Sequence, residues 1–147
     1  MTSKETAYFA TGCFWGAERR FWQLPGVIET SVGYMGGSKS EPTYKEVCTG
    51  LTGHAETVAV HFDPNQISYL RLLAEFWMMH DPTSLNQQGN DIGTQYRSAI
   101  FTTTAEQMKV AQTSRDIYQS QLNAQQIGEI VTEIVPSDGK TYWLAEE

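Results

Sequence analysis

Residues 8–22 read Tyr-Phe-Ala-Thr-Gly-Cys-Phe-Trp-Gly-Ala-Glu-Arg-Arg-Phe-Trp, and they join a strand-like segment, Tyr8 to Ala10, to a helix-like segment, Ala17 to Trp22. Cys13 lies at this junction with a glycine on each side. The backbone N–H groups and the dipole of a helix N-terminus stabilise a thiolate, and glycines leave the sulfur uncovered. The stretch therefore predicts a nucleophilic cysteine, with a buried core cysteine as the alternative.

Length and composition predict one domain spanning residues 1–147, which is long enough to bury roughly two thirds of its unfolded surface. The net charge of -7 argues against binding to a nucleic-acid backbone, which requires clusters of lysine and arginine. No signal core and no long apolar run is present, so we expect neither secretion nor membrane insertion. Two cysteines without a disulfide framework favour a reducing, cytoplasmic location.

The hydrophobic periodicity predicts an α+β fold. Ser68 is expected to cap the second helix, and Thr104 with Gln107 matches a capping box for the third. Strands are indicated at 8–10, 28–34, 57–62, 97–103 and 130–135, and helices at 17–22, 68–80 and 104–122. The first six elements have the βαββαβ order of a two-layer, ferredoxin-like split βαβ unit, so we expect one sheet with helices on one face and long functional loops.

Glu56 is the candidate general acid. It follows Gly53-His54-Ala55 just before the third predicted strand, and burial beside Trp15 would raise its pKa toward neutrality. The alternative is a solvated glutamate at the start of a strand. The pair His54 and Glu56 has the spacing of a zinc deaminase motif, but the required Pro-Cys-x-x-Cys is missing and the other histidines lack ligand spacing. The sequence therefore predicts no metal site.

Two tyrosines lie on loop-like segments, Tyr44 after Pro42-Thr43 and Tyr96 after Gly93-Thr94-Gln95, where a phenol can donate a hydrogen bond to a polar substrate atom. Asp91 either orients such a donor or stabilises a local turn. Cys48 has no glycine or cationic neighbour, so we expect a buried, inert thiol. No glycine-rich dinucleotide or phosphate motif is present, and no organic cofactor is expected.

Six motifs in order resemble the A-type peptide methionine sulfoxide reductases, a family specific for the S epimer at sulfur. They are Gly12-Cys13-Phe14-Trp15-Gly16, Gly33-Tyr34-Met35-Gly36-Gly37, Pro42-Thr43-Tyr44, Thr52-Gly53-His54-Ala55-Glu56, His80-Asp81-Pro82-Thr83 and Gly93-Thr94-Gln95-Tyr96-Arg97-Ser98. The resemblance covers nearly the whole chain. It implies thiol-dependent reduction of methionine S-sulfoxide, free or in proteins, through a cysteine sulfenic acid, as repair of oxidised methionine.

The resemblance also implies a role for each site residue. Cys13 would attack the sulfoxide sulfur, Glu56 would protonate its oxygen, and Tyr44 and Tyr96 would hold that oxygen. The substrate-binding positions are Phe14 and Trp15, which would hold the methyl group, together with Asp91 and His54, which line or support the site. The implied reductant is thioredoxin or another thiol.

The sequence leaves open how Cys13 is reduced again after each reaction. Many relatives carry resolving cysteines in a C-terminal tail, whereas the sequence given stops at Glu147. Either the chain is shortened, or a sulfenic acid at Cys13 is reduced by Cys48 or by an external thiol.

Two other functions remain open at this stage. One is a cysteine hydrolase or acyltransferase in which His54 or His80 activates Cys13 and Asp81 orients His80. The other is a module that senses redox state or binds oxidised methionine without turnover. A sulfoxide peptide assay with dithiothreitol separates all three functions.

Overall fold

The computed structural model of the protein describes residues 4–12 and 14–145. Cys13, the predicted nucleophile, lies outside the described residues. In chain order the elements are β1 (Glu5–Thr11), α1 (Phe14–Trp22), β2 (Val27–Met35), α2 (Tyr44–Cys48), β3 (Ala55–Phe62), α3 (Tyr69–Met79), β4 (Gln87–Gln88), β5 (Asp91–Ile92), a 3-10 helix (Thr94–Tyr96), β6 (Ser98–Thr102), α4 (Ala105–Ala124), β7 (Glu133–Pro136) and β8 (Trp143–Leu144).

The main sheet of the described residues has six strands in the order β7-β6-β1-β3-β2-β8. β1 pairs antiparallel with β3 on one side and with β6 on the other. β2 pairs antiparallel with β3 and β8, and only β6 and β7 run parallel. The mixed sheet with its helices confirms the predicted α+β class.

The core follows from the two-residue alternation of the strands. In β1, Ala7 and Phe9 face the cluster that also contains the buried residues of the helices, whereas Ala10 faces a second, smaller cluster. In α3 the apolar residues recur at helical spacing and are fully buried: Leu72, Leu73 and Phe76. All the buried helical residues of these clusters belong to the first cluster, so they lie on one side of the sheet.

The predicted caps explain where two helices begin. The Ser68 side chain accepts a hydrogen bond from the backbone N–H of Arg71, which confirms the predicted cap. The Thr104 side chain likewise accepts from the backbone N–H of Gln107. Gln107 does not complete the box, because its carboxamide accepts from Thr103 and donates to the carbonyl of Thr6, joining α4 to β1.

Several short elements are missing from the sequence prediction, among them β8, which extends the main sheet at β2. Tyr44 is the first residue of α2 and not a loop residue. Thr43 and Glu46 form a full capping box there, a Thr-x-x-Glu pattern that is readable in the sequence. The polar stretch 83–96 contains a short antiparallel hairpin, in which the two strands β4 and β5 have two residues each, and the 3-10 helix follows it.

None of the helices in the described part of the chain combines the length and apolar character needed to cross a bilayer.

Candidate active site

Glu56 is the buried carboxyl at the centre of the site. It lies in β3 opposite Tyr34 of β2, and the side chain is only 3% exposed, so the solvated alternative is wrong. The backbone N–H of Phe14, at the start of α1, donates to its Oε1 at 3.3 Å. Burial raises the pKa of Glu56 to about 7, and the charge of Asp91 adds to this while the Phe14 hydrogen bond opposes it.

Tyr44 and Cys48 are four residues apart in α2, so their side chains share one helix face. A hydrogen bond with Cys48 and the charge of that thiol raise the pKa of Tyr44 to about 12, with smaller contributions from Tyr96 and Glu56. Cys48 is exposed, so the predicted buried thiol is wrong. Its neighbour Val47 is buried, but successive residues of a helix point about 100° apart, so the burial of Val47 does not extend to Cys48.

Tyr96 is the second phenol of the site, at the end of the 3-10 helix. Desolvation and the charge of Glu56 raise its pKa, and Cys48 and Asp91 act in the same direction. The Thr94 hydroxyl donates to the carbonyl of Gly50 at 3.4 Å, which ties this helix to the loop that follows α2. The structure therefore brings Tyr44, Tyr96 and Glu56 together, and all three carry their protons up to neutral pH or beyond.

The β4–β5 hairpin brings Asp91 to the site. Gln88 is tied to Asp81 by two hydrogen bonds, and it packs so closely on Gly12 that a Cβ there would lie 2.6 Å from the Gln88 Cγ. Gly12 also has a φ of +105°, which favours glycine. Asp91 itself is exposed, and the negative charge of its carboxylate raises the pKa of Glu56 and of Tyr96.

The two aromatic residues after Cys13 have different environments. Phe14 is 3% exposed and packs against Tyr34, with ring centroids 5.7 Å apart. Trp15 is 58% exposed and meets the Phe14 ring edge-on at 5.2 Å. Trp15 therefore offers the open apolar surface beside the site, and Phe14 supports it from the core.

His54 is buried and supports the site loops through both ring nitrogens. Its Nδ1 accepts from the backbone N–H of Gly37 at 3.0 Å, so Nε2 carries the proton and donates to the carbonyl of Lys39 at 2.7 Å. The Ser38 N–H donates to the carbonyl of Thr52, joining the same two loops. These contacts fix the chain two residues before Glu56.

The histidine arrangement does not favour a Cys-His enzyme. His80 is held between the carbonyl of Phe76 and the hydroxyl of Ser98, both at 2.7 Å, and burial lowers its pKa to about 4. The Asp81 carboxylate accepts from Thr83 and Ser84 instead of orienting His80. With His54 occupied as well, both candidate bases have their ring nitrogens engaged in structural hydrogen bonds.

Within residues 4–12 and 14–145, no three histidine, cysteine, aspartate or glutamate side chains are grouped to hold an ion. The site instead offers a protonated carboxyl and two phenols as proton donors. Such groups suit a substrate atom that gains negative charge during reaction.

Comparison with known sequences identifies related proteins along nearly the whole chain. The family model for peptide methionine sulfoxide reductase matches residues 5–147. The peptide methionine sulfoxide reductase MsrA of Rhodospirillum centenum is 56% identical over 143 residues, which are 97% of this chain and 64% of that protein. The chain thus spans slightly less than two thirds of the length of that curated relative.

Solved structures agree with this result. Methionine sulfoxide reductase A of Corynebacterium diphtheriae has a TM-score of 0.93 at 45% identity, covering 97% of this chain and 70% of the other. Mxr1 from Saccharomyces cerevisiae in reduced form has a TM-score of 0.89 at 33% identity, covering 98% and 81%. Mxr1 in complex with Trx2, at 22% identity and a TM-score of 0.66 over 97% and 91%, shows the fold alone.

The raised pKa of Glu56 predicts a specific dependence of stability on pH. Between its usual value of 4.5 and about 7, the folded state binds more protons than the unfolded state, so stability falls as pH rises through this window. At about 1.4 kcal/mol per pH unit, the loss reaches roughly 3 kcal/mol. We expect Glu56→Gln to remove this loss, as measured by denaturant unfolding of both proteins from pH 4.5 to 8. A difference between the two proteins that does not change with pH would contradict the burial argument.

Proposed function

Because this chain belongs to the peptide methionine sulfoxide reductase family, we propose that it reduces methionine S-sulfoxide, free or in proteins, to methionine. The observation that carries the proposal is the buried Glu56 carboxyl, whose pKa of about 7 leaves it protonated close to neutrality beside two phenols. A sulfoxide oxygen is a poor leaving group until it is protonated, so this cluster suits that substrate.

In the proposed reaction, the thiolate of Cys13 attacks the sulfoxide sulfur while Glu56 transfers its proton to the sulfoxide oxygen. Tyr44 and Tyr96 donate hydrogen bonds to the same oxygen. A bond forms between the Cys13 sulfur and the methionine sulfur, while the sulfur–oxygen bond breaks and the protonated oxygen leaves as hydroxide. The hydroxide then attacks the Cys13 sulfur, the sulfur–sulfur bond breaks, and methionine leaves as the thioether with Cys13 as a sulfenic acid. The two electrons that reduce the substrate come from the Cys13 thiolate.

Substrate contacts follow from the same arrangement. Trp15 presents an exposed indole face for the methyl group, and Phe14 supports it from beneath. His54 acts indirectly by fixing the loops before β3, and Asp91 helps to keep Glu56 protonated.

A second thiol must reduce the sulfenic acid to complete the cycle. Condensation of the Cys13 sulfenic acid with the Cys48 thiol forms a disulfide and releases water. Cys48 is exposed and acts electrostatically on both phenols that surround Glu56, which supports Cys48 as the resolving cysteine. The proposed external reductant is thioredoxin or another thiol, and the complex of yeast Mxr1 with Trx2 is a parallel in a related fold.

We also infer the topology of the sheet, the extent of the domain and the cellular location of the protein. β3 lies between β1 and β2, and β6 lies on the other side of β1, which is the strand order of a ferredoxin-like split βαβ unit. Residues 1–147 then act as one catalytic domain. A reducing, cytoplasmic location suits an enzyme whose thiols must be regenerated.

The proposal is tested by Cys13→Ser, which removes the nucleophile. With a dabsylated methionine S-sulfoxide peptide and dithiothreitol, we expect wild-type turnover and no thioether from Cys13→Ser. Cys48→Ser is the matched control and should keep most of the dithiothreitol-driven rate. Equal loss in the two variants would refute the assignment of the nucleophile, and an inactive wild type would refute the proposed function.

Glu56→Gln keeps the shape and a hydrogen-bond acceptor for Phe14 but has no proton to give. We expect the rate of the reductase step to fall by around a hundredfold or more. The wild-type rate should decline as pH rises above about 7, because Glu56 loses its proton there. The variant should lack this alkaline limb in single-turnover measurements from pH 5.5 to 9. An unchanged rate and profile would make Glu56 structural.

Because Cys48 is exposed, we expect its thiol to react with the Cys13 sulfenic acid when no external thiol is present. With sulfoxide but no added thiol, wild-type protein should release one equivalent of methionine and form an intramolecular disulfide, two hydrogens lighter by mass spectrometry. Formation of this disulfide requires a conformation in which the Cα atoms of Cys13 and Cys48 lie within about 7 Å of each other. Cys48→Ser should instead accumulate a sulfenic acid that dimedone traps. A quantitative dimedone adduct in the wild type would exclude Cys48 as the resolving thiol.

A further inference from the structure

A pocket of about 350 Å³ lies beside α1, and the proposed reaction does not use it. Three elements contribute to its walls: α1 with Gly16, Ala17 and Arg20, the end of α3 with Met79, and β4 with Gln88. Its volume is in the range of pockets that hold ligands of a few to a few tens of atoms. An amino-acid side chain is small enough to enter it.

The pocket adjoins the site along two of its walls. On α1, Gly16 is two residues after Phe14, whose backbone N–H donates to the Glu56 carboxyl. On the β4–β5 hairpin, Asp91 lines the pocket and its charge also acts on Glu56. Consecutive Cα atoms are only about 3.8 Å apart. A polypeptide with an oxidised methionine in the site therefore brings a neighbouring residue to this pocket.

The inner end of the pocket carries an available hydroxyl. The two most buried lining residues are Thr11, at the end of β1 and 7% exposed, and Ala17, 5% exposed. The Thr11 side chain takes part in none of the hydrogen bonds found among residues 4–12 and 14–145. A buried hydroxyl without a partner is costly, so this end favours a group that can hydrogen-bond with it.

Charges of both signs lie at the rim. The Arg20 guanidinium bonds to the Glu75 carboxylate at 3.0 Å, and Arg71 shares that carboxylate, so the cluster keeps one positive charge. On the hairpin wall Asp91 is exposed and negative. His80 adds no charge near neutrality, because burial lowers its pKa to about 4. A cationic or an anionic side chain would meet a like charge on one wall, which favours an uncharged one.

We propose that this pocket is a subsite for the residue next to the oxidised methionine of a polypeptide substrate, and that it prefers an uncharged side chain with an apolar stem and a hydrogen-bonding end, such as glutamine. The stem packs between Ala17 and Met79, and the carboxamide pairs with the Thr11 hydroxyl. The inference rests on the proposed function and makes protein-bound methionine sulfoxide the better substrate, because free methionine sulfoxide leaves the pocket empty.

The test uses short peptides in which the same residue flanks methionine S-sulfoxide on both sides, so the direction of the bound peptide does not matter. For the wild type we expect kcat/KM to be about tenfold higher with glutamine than with glycine flanks, from burial of the stem and one neutral hydrogen bond. Lysine and glutamate flanks should give lower values than glutamine. A glutamine-to-glycine ratio near one, or a higher value with either charged residue, would overturn the inference.

Gly16→Leu tests whether the preference arises in this pocket. A Cβ at Gly16 would have no other part of the described chain within 4 Å, so a leucine side chain can occupy the open space. The glutamine-to-glycine ratio should fall to about one, and a ratio cancels any general effect on the reductase step. Gly16→Ala is the matched control, because its methyl group is too small to fill the pocket and should keep most of the preference. An undiminished ratio in Gly16→Leu would refute the location.

Thr11→Val keeps the shape of the side chain and removes the hydroxyl. The wild type should prefer glutamine to leucine flanks by about two- to tenfold, as expected for one neutral hydrogen bond. Thr11→Val should treat the two peptides alike. A preference of the same size in this variant would contradict the role of the hydroxyl.

Binding of unoxidised peptides separates this inference from the proposed function. The methyl NMR signals of Thr11 and Ala17 in wild-type protein should shift with the glutamine-flanked methionine peptide and much less with the glycine-flanked one. If the wild type reduces no sulfoxide, the proposed function is refuted, while these shifts still support the subsite. If the wild type reduces both sulfoxide peptides equally and the methyl signals do not respond, the inference alone is refuted.

Discussion

The structure of the site depends on burying the Glu56 carboxyl against the first turn of α1. An ionised carboxylate out of water loses several kcal/mol of solvation, and one N–H donor at 3.3 Å does not restore it. The carboxyl responds by holding a proton up to about pH 7. The same contact joins residues 42 positions apart, so the segment after Cys13 and the acid in β3 are held by one hydrogen bond.

The acidic groups of the site also act on one another through charge. Asp91 raises the pKa of Glu56 and of Tyr96. Cys48 and Glu56 raise the pKa of both phenols, Tyr44 and Tyr96. Because negative charge nearby disfavours ionisation, Glu56, Tyr44 and Tyr96 retain their protons to higher pH than usual. A cluster that holds protons in this way presents donors to a neutral, strongly polar oxygen, while it repels anionic ligands.

Much of this arrangement is predictable from the sequence, and the exceptions have physical causes. The α+β class and the cap at Ser68 are confirmed, because periodicity and capping are local properties. The predicted burial of Cys48 is wrong because exposure depends on which face of α2 packs on the core, and that face carries Val47.

The burial of Gln95 was missed for a different reason. A glutamine in a polar loop carries no local signal, and its burial depends on close packing against Gly93 and on the contacts of the 3-10 helix with β3 and β4. The same is true of the loop contacts made by His54, which join segments 15 to 17 residues apart.

The central place of β1 in the sheet has a consequence for biosynthesis. Among the described strands β1 is made first, yet its two neighbours are β3 and β6, which end at Phe62 and Thr102. Until residue 102 has emerged, one edge of this apolar strand has no partner, and unpaired edges promote association with other chains. Pairings over such long sequence separations also form slowly. The nascent chain is therefore most exposed to misassembly in the interval between the synthesis of β1 and that of β6.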